Sequence, residues 1–177
     1  MSFSLILHTR LFWLLPLLWL LLALATGLLP ASRAQAADSG VIAIIAPADF
    51  SGKNPGRTEL GLVFLRKKLY WPNGKRIRPA NLPSQHELRK QFSQQILGSL
   101  PETQTEYWNE LYFHGTTPPH VVNSQEAMLR FVADTAGSIG YIDACLLDER
   151  VKALAWLQAD GSMSYSAPAL SCPQNTP

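Results

Sequence analysis

The sequence predicts an α/β domain in which helices flank a mixed β-sheet. Short apolar runs at residues 41–46, 139–142 and 151–157 have the length and composition of buried strands. Between the first two runs, several segments repeat apolar residues at the spacing of an α-helix, and glycine follows the longer ones. Strands that alternate with helices in this way are typical of α/β folds.

A short helix and a strand are predicted after the first apolar run. Leu60, Val63 and Phe64 recur at helical spacing and would bury one face of the helix. Pro72-Asn73-Gly74 is a turn signal, so we expect the helix to end near Arg66. A basic strand is then predicted at residues 75–78.

The next helix has the clearest start and stop signals. Ser84 and Glu87 have the spacing of a capping box, and Gly98 follows as a left-handed stop. Leu88, Phe92 and Ile96 lie at four-residue spacing and would form its buried face.

Two further helices and a hairpin are predicted toward the C-terminus. Each helix combines a capping side chain, a glutamate three residues later and a terminal glycine. The caps are Thr103 with Glu106 and Asn123 with Glu126, and the stops are Gly115 and Gly137. Asp160-Gly161 indicates a hairpin that joins strands at residues 151–157 and 162–165.

The first 36 residues are predicted to be a signal peptide. Arg10 precedes an apolar run at residues 11–29, and Ala34-Gln35-Ala36 is a small-x-small cleavage pattern, so cleavage is expected before Ala37. The expected location is the periplasm, reached through the general export route. A retained anchor is the alternative, because an apolar run of this length can just span a bilayer. The membrane would then be contacted only through the uncleaved signal segment.

Charge is balanced overall but unevenly distributed. The chain has 15 Lys and Arg against 13 Asp and Glu, and cleavage would remove Arg10 and Arg33, leaving 13 of each sign. Residues 60–86 contain basic residues and no acid: Arg66, Lys67, Lys68, Lys75, Arg76 and Arg78. This segment predicts a surface that attracts anions, or alternatively a solvated helix end and strand edge. Nucleic acid is not an expected partner of an exported protein.

Two cysteines and the chain length define the expected domain. Cys145 and Cys172 are an even pair in an exported chain, which favours a disulfide over a metal site. Residues 37–167 are long enough for one domain with a single core, and residues 168–177 are predicted to be an irregular tail.

Several motifs, in their order and spacing, resemble one lobe of a known receptor family. Residues 64–74 contain Phe-Leu-x-Lys-x-x-x-Trp followed by Pro-Asn-Gly, and residues 137–141 read Gly-Ser-Ile-Gly-Tyr. Together with the helices between them, they resemble a single lobe of the periplasmic phosphate-binding receptors of ABC importers, which have the type 2 periplasmic binding protein-like fold. The resemblance covers residues 41–143. It implies that Trp71, Phe92, Trp108 and Gly140 are core and turn residues.

The resemblance also implies a candidate anion site and shows where this chain departs from the family. Those receptors grip phosphate between two lobes with an arginine and a Ser-Gly-Thr loop, whereas residues 81–86 here read Asn-Leu-Pro-Ser-Gln-His. Arg66 replaces a family glycine, and only one lobe is expected. The candidate ligand-binding residues are Arg78, Asn81, Ser84 and Arg89. Ser84 is alternatively a plain helix cap.

No catalytic residue, metal site or cofactor is predicted, so the chain is not expected to be an enzyme. His86, His114 and His120 lack the i, i+4 spacing of a helical metal site, and no Gly-x-Ser-x-Gly motif is present. Two classes of function remain. One is a solute-binding-like domain that recognises phosphate or another oxyanion in connection with ABC-type transport. The other is a ligand-free adaptor that binds another envelope protein or a second copy of itself.

Overall fold

The fold is an α/β domain in a computed structural model that describes residues 39–172. Within these residues, six strands form one mixed sheet and helices pack against it, as the sequence predicts. The strands are β1 (Ile42–Pro47), β2 (Arg78–Asn81), β3 (His120–Val121), β4 (Ser138–Asp143), β5 (Val151–Leu157) and β6 (Met163–Ser164). The helices are α1 (Arg57–Phe64), α2 (Glu87–Phe92, continued by a π-helical turn at Ser93–Leu97), α3 (Thr105–Phe113) and α4 (Gln125–Asp134). Short 3₁₀ helices lie at Pro101–Gln104 and Ala144–Leu146.

The sheet has the strand order β3-β2-β4-β1-β5-β6. β2 runs parallel to β3 and β4, whereas β1 is antiparallel to both β4 and β5. β6 pairs antiparallel with β5 through the predicted Asp160-Gly161 hairpin. Every residue of β1 is buried, which explains why its sequence is continuously apolar rather than alternating.

An aromatic cluster forms the part of the core that lies under α1 and α2. Phe92 stacks on Tyr141 of β4 with ring centroids 4.0 Å apart, and Phe64 of α1 meets Phe92 edge-on at 4.6 Å. All three side chains are fully buried. Aromatic pairs of this kind stabilise the fold by about 0.5–1.5 kcal/mol beyond their burial.

On β4, α4 packs closely against Gly140. A Cβ atom at Gly140 would overlap with Met128 Sδ, so a larger residue would require the Met128 side chain to move. Gly140, Trp71 and Phe92 are therefore core and turn positions, as the resemblance implied, and Trp71 also donates from Nε1 to Gly137 O at 3.0 Å.

Strand predictions are confirmed for the central sheet and shifted at β2. Residues 41–46, 139–142 and 151–157 match β1, β4 and β5 to within one residue at each end. The strand predicted at residues 75–78 instead begins at Arg78 and continues to Asn81. Pro79 lacks a backbone N–H, yet β2 accommodates it opposite Ile139 of β4.

The predicted helix caps are wrong in all three cases, although the helices themselves are present. Ser84 lies in a turn before α2, which is capped by His86 Nδ1 accepting from Leu88 N. Thr103 lies in a 3₁₀ helix and donates to Leu100 O.

The third cap is displaced by one residue, from Asn123 to Ser124, whose hydroxyl accepts from Ala127 N. The predicted stops at Gly98, Gly115 and Gly137 are confirmed, with φ of 68°, 74° and 77°.

The C-terminal part of the domain is fastened by a disulfide. Cys145 and Cys172 are bonded, with Cα atoms 5.5 Å apart, which confirms the predicted pair. Residues 168–172 have no regular secondary structure. The predicted signal peptide lies outside the described residues, and among residues 39–172 no helix is long and apolar enough to cross a membrane.

Candidate functional site

A cleft of about 370 Å³ lies between the end of β2, the start of α2 and the exposed helix α3. We call it the Arg89 cleft. Its walls are formed by Asn81, Leu82, Pro83, Ser84, Gln85, Arg89, Pro101, Trp108, Pro118, Pro119 and Val121. Three of the four predicted site residues, Asn81, Ser84 and Arg89, therefore lie together.

Arg89 is held in this cleft by a buried polar network. Its side chain is only 6% exposed, and its guanidinium donates to Oδ1 of Asn81, which is 4% exposed. The Tyr141 hydroxyl donates to the same oxygen at 3.3 Å and accepts from Leu82 N at 3.2 Å. Because Tyr141 is fixed by its stacking on Phe92, the core determines the position of Arg89.

The charge of Arg89 is not neutralised within the described part of the chain. No carboxylate among residues 39–172 forms an ion pair with it. Burial raises the pKa of Tyr141, and the positive charge of Arg89 partly offsets that rise. A buried cation without a counter-charge is costly, and such groups are normally paired.

Ser84 and Trp108 complete the wall of the cleft. Ser84 is half-buried in the turn before α2. Trp108 projects from α3 and is also half-buried, with its Nε1 3.4 Å from Gln104 Oε1. Trp108 is thus a cleft residue rather than the core residue that the resemblance implied.

Arg78, the fourth predicted site residue, lies in a different cleft of about 460 Å³. We call it the triple-arginine cleft, because Arg66, Arg76 and Arg78 line it together with Ile77, Pro79, Thr117, Pro118, Pro119, His120 and Phe131. Burial and the neighbouring charge of Arg76 both lower the pKa of Arg66.

Arg78 and Asn81 lie at opposite ends of β2 and in different surroundings. Arg78 is the exposed first residue of the strand, whereas Asn81 is its buried last residue. Pro118 and Pro119 line both clefts and form the wall that they share. Sequence reasoning missed this division because it ended the strand at Arg78.

Helix α3 presents an exposed aromatic surface. None of its residues is buried, and Tyr112 and Phe113 are 68% and 86% exposed. The segment formed by the preceding 3₁₀ helix and α3 carries Glu102, Glu106 and Glu110 but no basic residue. This surface was not predicted from the sequence, because helical spacing alone does not show which face of a helix is covered by the rest of the domain.

Among residues 39–172, no group of three or more His, Cys, Asp or Glu side chains is arranged to hold a metal ion. The three described histidines have other contacts. His86 caps α2, His114 Nδ1 lies 2.9 Å from Glu110 O, and His120 stacks on Phe131 with centroids 4.9 Å apart.

No protein-family model matches this chain, and no curated protein sequence matches it. Solved structures do match the fold. A phosphate-bound protein from Clostridium perfringens, assigned to the phosphate ABC transporter substrate-binding proteins, is 18% identical with a TM-score of 0.54 over 67% of this chain. An ABC-type phosphate transport receptor from Vibrio cholerae is 17% identical with a TM-score of 0.51 over 67% of this chain.

The match covers only part of each of those structures. This chain spans 46% of the first and 47% of the second. The chain therefore resembles a single lobe of these substrate-binding proteins, and the fold that the sequence predicted is confirmed.

Proposed function

We propose that this chain is an exported, non-catalytic, solute-binding-like domain that holds phosphate or a similar oxyanion at Arg89, in connection with ABC-type transport. The observation that carries the proposal is the burial of Arg89 without a carboxylate partner among residues 39–172. Two structures of similar fold are of proteins whose names specify phosphate transport.

The chemistry of the Arg89 cleft suits an oxyanion. A guanidinium presents a planar fork of N–H donors that pairs with tetrahedral or planar oxyanions through two parallel hydrogen bonds. The bond to Asn81 Oδ1 engages Nη1 and orients this fork. A bound anion would supply the missing counter-charge, and the Ser84 hydroxyl, which lines the same cleft, is a further hydrogen-bond donor.

The same cleft argues for weak binding. It is open to solvent, and the Ser-Gly-Thr loop of the phosphate receptors is replaced by residues without the glycine and the threonine. Water in an open cleft competes for the hydrogen bonds of a bound anion and raises the effective dielectric constant around it. We therefore expect dissociation constants in the millimolar range and little discrimination between phosphate and sulfate.

Calorimetric titration of residues 37–177 with phosphate, sulfate and chloride at matched ionic strength tests the proposal. We expect saturable binding of the two oxyanions and none of chloride. Arg89→Met keeps the length of the side chain and should abolish the signal, whereas exposed Lys53, changed to Ala, should leave it unchanged. Binding that persists in Arg89→Met, or no binding at all, would contradict the proposal.

Export is tested separately by intact mass. Protein recovered from the periplasmic fraction should begin at Ala37 or within a residue or two of it. Recovery only from the membrane, with the mass of the full-length chain, would rule out signal-peptide cleavage.

A second candidate function is an adaptor that binds another envelope protein through α3. The exposed rings of Tyr112 and Phe113, bordered by glutamates, favour a partner with an apolar patch surrounded by basic residues. A photo-crosslinking residue in place of Phe113 should give one discrete product in cells. The purified partner should then bind the wild-type domain and lose affinity for the Tyr112→Ser, Phe113→Ser variant. A product of twice the mass would assign a second copy of this chain, and no product would exclude this surface.

A further inference from the structure

The triple-arginine cleft is a concentration of positive charge that the Arg89 site does not use. Among the described residues, Arg66, Arg76 and Arg78 form no ion pair with a carboxylate. Each of them lines the same cleft of about 460 Å³. We propose that this cleft binds a small polyanion carrying two or more phosphate-type or sulfate groups.

The backbone conformation and a hydrogen bond of Arg66 fix the position of its guanidinium group. Its φ of 59° lies in the left-handed region, which glycine adopts freely and other residues adopt only at a cost. Its Nη1 donates to Ile77 O at 3.3 Å, and its Nε is buried without a hydrogen-bond partner among residues 39–172. The guanidinium is thus held beside Arg76, although the two charges repel each other. A bound polyanion would relieve the repulsion between Arg66 and Arg76.

The size and walls of the cleft indicate which anion it suits. Its volume is in the range of small-molecule sites, about 300–1,000 Å³, and exceeds what a single tetrahedral oxyanion would fill. Three guanidinium groups can neutralise several phosphate groups at once. The stacked rings of His120 and Phe131 line the same cleft. An anion with linked charged groups therefore fits better than free phosphate.

Titration with tripolyphosphate and with orthophosphate, each at matched ionic strength, tests this inference. We expect tripolyphosphate to bind at least ten times more tightly, and the affinity to fall steeply as NaCl is added, because exposed charges are screened within about 8 Å at physiological ionic strength. Arg76→Ala with Arg78→Ala should weaken tripolyphosphate binding at least tenfold. Exposed Lys53, changed to Ala, should not change it.

A second variant separates binding from folding. Arg66→Gly removes the charge and releases the left-handed backbone from its cost, so its melting temperature should stay the same or rise while tripolyphosphate binding falls. Tripolyphosphate binding that is unchanged in these variants, or absent in the wild-type domain, would overturn the inference. Tighter binding of hexaglutamate than of tripolyphosphate would also overturn it, in favour of an acidic peptide.

Failure of this inference is distinguishable from failure of the proposed function. The two sites use different arginines, so loss of phosphate binding in Arg89→Met reports only on the Arg89 cleft. Loss of tripolyphosphate binding in Arg66→Gly reports only on the triple-arginine cleft.

Discussion

Arginines in two regions of this molecule have opposite electrostatic surroundings. Between α4 and the loop before β5, Arg130 and Arg150 share Glu126, and Arg150 also bonds Asp148 at 2.7 Å. At the two clefts, Arg89 and the three arginines of the triple-arginine cleft form no ion pair with any carboxylate of residues 39–172. In the first region, carboxylates of the domain neutralise the arginines. In the second region, the arginines can still pair with a bound anion.

The difference lies in what each arginine would gain from an added anion. An anion near Arg130 or Arg150 would have to displace Glu126, which both already bond. Arg89 would lose nothing, because its described partner is the neutral amide of Asn81. Counting arginines in a sequence therefore says less about anion binding than knowing which of them have a carboxylate partner.

The largest expected effect on stability concerns Phe92, whose ring stacks on Tyr141 and so holds the network that positions Arg89. Phe92→Ala should lower the free energy of unfolding by about 3–5 kcal/mol, because it removes a fully buried ring stacked on Tyr141. Denaturant unfolding measures this loss. Phe113→Ala is the control and should change stability by no more than about 0.5 kcal/mol, since that ring is 86% exposed. Equal losses of stability would mean that Phe113 is buried in solution and that α3 is covered.

A smaller loss is expected from the hydroxyl that joins the core to the Arg89 network. Tyr141→Phe leaves Leu82 N buried without its acceptor, which should cost about 1–3 kcal/mol. Tyr112→Phe removes an exposed hydroxyl and is the matched control. If Tyr141→Phe unfolds at the same denaturant concentration as the wild type, the network does not position Arg89.

The paired region should be visible in the titration of Glu126. Hydrogen bonds from Arg150 and Arg130 lower the pKa of its carboxyl to about 2. Because the pKa in the folded state lies below that of the unfolded chain, its stabilising contribution is present above the ordinary glutamate pKa and is lost as pH falls through about 2. Carbon-13 NMR of the carboxyl group measures this pKa, and Arg150→Ala should raise it. An ordinary pKa in the wild type would mean that the pairing is not maintained in solution.

The smallest effect on stability is expected at the triple-arginine cleft. The side chains of Arg76 and Arg78 are exposed and donate no hydrogen bond to another residue of 39–172, and the bond from Arg78 N to Gly137 O is a backbone bond that substitution leaves in place. Arg76→Ala with Arg78→Ala should change the free energy of unfolding by no more than about 0.5 kcal/mol. A thermal melt without ligand measures this change. If the double variant unfolds, these arginines serve the structure instead of a ligand.

Much of the fold was predictable because buried strands consist of continuous apolar runs that can be read in the sequence. β1 and β4 are buried at every position and β5 at five of its seven positions, so their apolar runs coincide with the strands. Helix caps were less predictable, because polar residues able to cap a helix cluster within a few positions. Ser84 and His86 both precede α2, and only the path of the backbone selects His86.

The candidate site was predictable only in part. Arg89, Asn81 and Ser84 line one cleft, whereas Arg78 lines the other, and the sequence did not show this division because the start of β2 was misplaced. The left-handed conformation of Arg66 leaves no signal in the sequence, because a positive φ is expected for glycine and not for arginine.

The central claim is that the charge of Arg89 remains available to an oxyanion, whereas the charges of Arg130 and Arg150 do not. Side-chain ¹H–¹⁵N NMR of the arginine Nε–H groups during titration with phosphate, at ionic strength held constant with NaCl, tests it most directly. We predict a saturable shift of the Arg89 signal that sulfate reproduces, while the signals of Arg130 and Arg150, which already bond Glu126, stay in place. An Arg89 signal that does not move at saturating phosphate would contradict the claim.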